Sequence, residues 1–209
     1  MEQAEFIIEG PSNASLTLVL AHGAGAPMDS PFMATVARGL TDSDLRVVRF
    51  EFAYMRRRRS HQARTAPDRE PILLERWREV IQSMGGGQHL VIGGKSLGGR
   101  IASMVADEAQ VRGLVCLGYP FHPPGKAPGA RLKHLKSLHT PALIVQGARD
   151  SFGMRGEVES YELSPQIRLA WIEDGDHSFK PRARSGLTER ENLTAAITAV
   201  RGFIRGLTG

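Results

Sequence analysis

Apolar residues in this chain gather into short runs separated by longer amphipathic stretches. Leu16-Thr17-Leu18-Val19-Leu20-Ala21 is continuous enough for a strand buried on both faces. Leu90-Val91-Ile92, Val111 to Leu117, Ala142-Leu143-Ile144-Val145-Gln146 and Ile167 to Ile172 read as further strands. Leu45 to Phe52 adds another, and Glu5 to Glu9 a short edge strand. Between them the period lengthens. Ser30 fits a helix N-cap with Pro31 at the first helical position, and Phe32, Val36 and Leu40 recur at spacing four as a core face. Pro71 to about Met84 places Ile72, Leu73, Trp77, Val80 and Ile81 on one side, and Gly85-Gly86-Gly87 stops it. Arg100 to Ala106 is helical in pattern, as is Glu189 to Leu207, with Leu193, Ile197, Val200 and Ile204 in register. Strands alternating with helices predict an α/β domain with a largely parallel sheet, residues 1–209 forming one unit without repeats or linkers.

Composition narrows this little. Hydrophobic residues make up 41% of the 209, enough for a sizeable core. No apolar run approaches the length that crosses a bilayer, and the acidic start Met1-Glu2-Gln3-Ala4-Glu5 lacks a signal-peptide core, so no membrane contact is expected. A single cysteine, Cys116, excludes an internal disulfide framework and suits a cytoplasmic location; within its apolar run it reads as a small core residue. The formal charge of +5 owes much to Arg56, Arg57, Arg58, Arg59, Arg64 and Arg69. No nucleic-acid motif accompanies them, so a solvated loop or an ion-pair site is expected and nucleic acid is not.

In parallel sheets ligands bind beyond the carboxyl ends of the strands. There the chain places His22-Gly23-Ala24, Ser96, Tyr119 to His122, Asp150 and His177. Gly93-Gly94-Lys95-Ser96-Leu97-Gly98-Gly99 follows one strand and opens a helix, the pattern of a nucleophile elbow. Taken alone, such a turn in a glycine-rich chain could equally hold a phosphate at a helix N-terminus. A serine hydroxyl needs a base, and the base needs a partner that fixes its tautomer. Ser96, Asp150 and His177 follow separate strands in the order nucleophile, acid, base. Asp174 and Asp176 beside His177 read as turn formers. Of the other histidines, His61, His89, His134 and His139 read as structural or solvated. His22 organises backbone near the first loop, and His122 lines the pocket. The N–H groups of Leu97 and Ala24, or Gly25 in place of Ala24, would form an oxyanion hole. Substrate-pocket candidates are His22, Gly25, Lys95, Tyr119 and His122. Lys95 is either a side chain the turn merely tolerates or a cation at the site mouth favouring anionic substrates. Its Gly-Lys-Ser setting is not a P-loop, since His89 stands where the first glycine belongs. No spacing suggests a metal site.

Together, LAHGAGAPMDSPFM, FEFAYM followed by RTAPDREP, GGKSLGGR, LGYPFHPPGK, VQGARDSFG and DGDHSF resemble the α/β-hydrolase superfamily across nearly the whole chain. More narrowly they look like the small family that includes bacterial α/β family hydrolases and the Tex30/KANSL3 hydrolase-like domains. Dienelactone-hydrolase-like enzymes are a more distant similarity; they typically carry a cysteine where this chain has Ser96. The resemblance implies an α/β-hydrolase fold, a Ser96-Asp150-His177 triad and esterase-type activity without a cofactor. The short connection from Pro120 to Pro141 leaves little room for a cap domain, which suits small soluble esters or thioesters as substrates. Peptide cleavage uses the same machinery. Some relatives serve as scaffolds, so a non-catalytic binding protein that holds an acidic partner on its arginine segment is the alternative. Oligomeric state is not legible.

Overall fold

The computed structural model describes residues 5–61, 65–126 and 129–207. Seven strands form one sheet: β1 (Phe6–Glu9), β2 (Leu16–Ala21), β3 (Leu45–Phe50), β4 (Leu90–Lys95), β5 (Gly113–Leu117), β6 (Ala142–Gly147) and β7 (Ile167–Ile172). The helices are α1 (Pro31–Leu40), α2 (Ala53–His61), α3 (Glu70–Ser83), α4 (Leu97–Val105), α5 (Ala130–Lys133), α6 (Arg155–Val158) and α7 (Glu189–Arg205). Strand order is β1-β3-β2-β4-β5-β6-β7; β1 pairs antiparallel with β3 and every other pair is parallel. This is an α/β-hydrolase fold, a mostly parallel sheet flanked by helices.

Every residue of β2, β4, β5 and β6 is buried, as continuous apolar runs require. Alternation assigns each side chain a layer. Leu16, Leu18 and Leu20 of β2 meet Val36 and Leu40 of α1 and Leu193, Val200 and Ile204 of α7. Val19 and Ala21 face the other layer, with Trp77 of α3 and Ile101 and Val105 of α4. Edge strand β7 is half-exposed along most of its length.

Two helix expectations change. Ser30 occupies the N-cap of α1 and Pro31 begins the helix, but the Ser30 side chain makes no cap bond. The buried face of α1 is Met33, Val36, Ala37 and Leu40, while Phe32 is only half-buried. The arginine segment, expected as a loop, is helical over Ala53–His61; Arg64 lies outside the described residues. Between Pro120 and Pro141 the described residues contain only α5 and a short 3-10 turn, His134–Ser137. No helix among the described residues is long and apolar enough to cross a membrane.

The chain moves outward from β2 to β3, then crosses back to lay β4 on the other side of β2. Loops after β2 and β4 therefore diverge and leave a crevice between them, where such sheets bind ligands.

Candidate active site

Ser96 sits between β4 and α4 with φ 50° and ψ −113°, a sparsely populated conformation for a residue with a side chain. The surroundings over-determine it. Ser96 N–H donates to Leu117 O at 3.0 Å, and Ser96 O accepts from Arg100 N–H at 2.9 Å. Gly98 lets α4 start directly against β2: a Cβ there would lie 2.7 Å from His22 O.

Ser96 Oγ lies 2.9 Å from His177 Nε2. His177 Nδ1 lies 2.7 Å from Asp150 Oδ2. The carboxylate can only accept, so the proton sits on Nδ1 and Nε2 offers its lone pair to the serine hydroxyl. Asp150 is fully buried. Gln146 Nε2 donates to its Oδ2 at 2.9 Å, and Phe152 N–H to its Oδ1 at 2.9 Å. Gln146 is itself buried at the end of β6, where its Oε1 accepts from Tyr119 N–H at 2.7 Å and braces the neighbouring strand end. The Phe152 ring lies 4.4 Å from the His177 ring, centroid to centroid. Asp174 and Asp176 form the turn that presents His177. Asp176 Oδ1 accepts from the N–H groups of Ser178 and Lys180. Asp174 pairs with Arg182 and Arg149, and the Arg182 hydrogen bond holds its carboxyl down at about 2.

These residues open on a cleft of about 340 Å³ lined by Gly23, Ala24, Gly25, Phe32, Met33, Lys95, Ser96, Phe152 and His177 among others. The Leu97 N–H begins α4, so it precedes the first intrahelical bond and is directed out of the helix end. Ala24 lines the same cleft as Ser96.

Of the pocket candidates, Gly25 and Lys95 line the cleft and three do not. His22 is fully buried: Nδ1 donates to Gly23 O at 2.7 Å and Nε2 accepts from Phe52 N–H at 3.2 Å. Burial lowers its pKa, so it is a neutral tie between loops. Tyr119 turns inward, its hydroxyl donating to Arg131 O at 3.0 Å. His122 is buried, its backbone N–H donating to Phe152 O at 3.2 Å, with Nδ1 2.9 Å from Pro123 O and Nε2 3.5 Å from Glu157. The sequence reading missed Phe32, Met33, Phe152 and Gln146. A lone glutamine ending the apolar run Ala142 to Gln146 was the available signal.

The arginine helix is tied to this site from within. Arg59 donates to Glu51 Oε1 through Nε at 2.9 Å and also pairs with Asp29. Glu51, only 2% exposed, also accepts from Met28 N–H at 3.1 Å, fixing the loop after β2. Arg57 pairs with Asp68, and Arg58 reaches Gly25 O at 3.5 Å. Arg59→Met would leave a buried carboxylate without its cation. It is expected to cost roughly 2 kcal/mol of stability by urea unfolding; a variant as stable as the parent would show that Glu51 does not depend on Arg59.

Comparison with known proteins agrees with this architecture. Dienelactone hydrolase from Anabaena variabilis superposes with a TM-score of 0.73 at 20% identity, covering 96% of this chain and 90% of its own. A serine hydrolase without a lid from Xanthomonas campestris gives 0.65 at 17% identity, covering 96% and 88%. A thermophilic esterase from Thermogutta terrifontis gives 0.67 at 18%, covering 97% and 93%. A family model described as an alpha/beta hydrolase domain matches residues 14–205. The chain belongs to that alpha/beta hydrolase family.

Proposed function

We propose that this protein is a serine hydrolase of small carboxylic esters or thioesters, working through Ser96, His177 and Asp150. The observation that carries the reading is the hydrogen-bonded series from Ser96 through His177 to Asp150, assembled from three strand ends at the mouth of one cleft. His177 Nε2 takes the hydroxyl proton as Ser96 Oγ attacks the acyl carbonyl. The Leu97 and Ala24 N–H groups receive the oxyanion, and buried Asp150 stabilises the imidazolium. His177 then protonates the leaving alcohol or thiol, and water, activated by the same nitrogen, releases the acyl group from Ser96.

The cleft's size is at the lower end for ligand pockets, which supports small substrates over long acyl chains. The esterase among the structural neighbours supports the same class. The motif stretches quoted above support closer kinship with the Tex30/KANSL3 domains, and the lone buried Cys116 a cytoplasmic setting. Internal pairing of Arg57 and Arg59 speaks against a segment held ready for an acidic partner.

A fluorophosphonate probe tests the reading. Labelling is expected at Ser96 alone, located by peptide mass spectrometry, with loss of p-nitrophenyl acetate turnover in proportion. Folded protein that takes no label would overturn the enzyme and favour the binding protein.

A further inference from the structure

Lys95 precedes Ser96 and is only 8% exposed, yet it lines the cleft. Its Nζ donates to His177 O at 2.5 Å and lies 5.6 Å from the centroid of the Phe32 ring. Among the described residues it forms no ion pair. Two carboxylates act on it, and both are committed elsewhere: Asp150 to His177, Gln146 and Phe152, and Asp176 to the N–H groups of Ser178 and Lys180. An ammonium in a mostly apolar site without a paired counter-ion is expensive to keep, and its one hydrogen bond among the described residues leaves two N–H groups over.

We propose that Lys95 forms an anion subsite and that the substrate is an ester carrying a carboxylate near its scissile carbonyl. This rests on the serine hydrolase reading and names its substrate class. One ammonium balances one carboxylate, whereas a phosphate dianion would leave net charge among Phe32, Met33 and Phe152. Lys95 Nζ and Ser96 Oγ both bond His177, one at its carbonyl oxygen and the other at its ring, so a carboxylate on Nζ and a carbonyl on Oγ are separated by a short spacer. Burial lowers the Lys95 pKa to about 8, which leaves it mainly charged at neutral pH. Holding His177 O would by itself require a donor but not a charge.

The test compares monoethyl succinate, glutarate and adipate with neutral ethyl esters in which an isopropyl group replaces the carboxylate. At least one half-ester is expected to exceed its neutral partner about 10- to 100-fold in kcat/KM, the scale of a charged hydrogen bond. Lys95→Met should bring that ratio close to unity whatever happens to the absolute rates. Lys95→Gln, which keeps a donor for His177 O, should do the same. A purely structural lysine would lower both members of each pair alike. Equal turnover of all pairs by the unaltered protein, or an unchanged ratio in both variants, overturns the subsite while leaving the hydrolase intact. Calorimetric titration of Ser96→Ala with the half-esters separates the reverse case: binding that depends on Lys95, without turnover by the unaltered protein, keeps the subsite and removes the hydrolase.

Discussion

Ser96→Ala, His177→Ala and the double variant are expected to lose ester hydrolysis to nearly the same depth, about 10⁵- to 10⁶-fold in kcat. The hydroxyl at 2.9 Å from His177 Nε2 is a nucleophile only while that nitrogen can take its proton. Removing either member disables the same step, so removing both costs little more. Asp150→Asn should cost less, about 10⁴-fold. The amide can turn its nitrogen toward Nδ1, reversing the 2.7 Å hydrogen bond and leaving the proton on Nε2, where the base is needed. The rates should be read with p-nitrophenyl acetate on purified variants whose circular dichroism matches the parent. Losses that add, or Ser96→Ala protein that retains the parental rate, would mean that hydrolysis arises elsewhere.

Much of this site can be read in the sequence because strand ends and glycine spacing are local properties. The apolar runs ending at Ala21, Lys95, Gly147 and Ile172 place the loops of Ala24, Ser96, Asp150 and His177 at one edge of a parallel sheet. Which way a residue faces within such a loop is not local. Tyr119 and His122 follow β5 as Asp150 follows β6, yet both are buried off the cleft, Tyr119 against Gln146 and Arg131 O and His122 against Pro123 O and Glu157. The spacing of Phe32 with Val36 and Leu40 predicts a core residue; at the first turn of α1 it packs against the core and Phe179 on one side and lines the cleft on the other. The arginine helix shows the limit of periodicity: its pattern is polar almost all round, and Asp29, Glu51 and Asp68, all outside the helix, determine what it does. Lys95 is the same case at the centre of the site. Its neighbours in sequence are glycine and serine, whereas its surroundings in space are Phe32 and His177 O.

Gly94→Ala is expected to be strongly destabilising, by about 4 kcal/mol or more. Gly94 has φ +154°, which side chains rarely adopt, and a Cβ there would overlap the Ala21 carbonyl oxygen and lie 2.9 Å from its carbon. Relief requires Ala21 to retreat. It cannot do so cheaply, because β2 is held between β4 and β3 with Ala21 opposite Gly94 on one side and Phe50 on the other. The displaced atoms are backbone in a buried ladder rather than the end of a flexible side chain, so strain and lost hydrogen bonds act together. Gly202→Ala makes the same chemical change with the opposite sign. Gly202 is exposed in α7, and an added Cβ meets nothing within 4 Å. The helix then gains about 1 kcal/mol by losing unfolded-state freedom. Urea unfolding of the two variants at constant m-value measures both. A Gly94→Ala protein within about 1 kcal/mol of the parent would mean that β2 and β4 are not so closely apposed at the elbow. The strained Ser96 conformation would then need a different support.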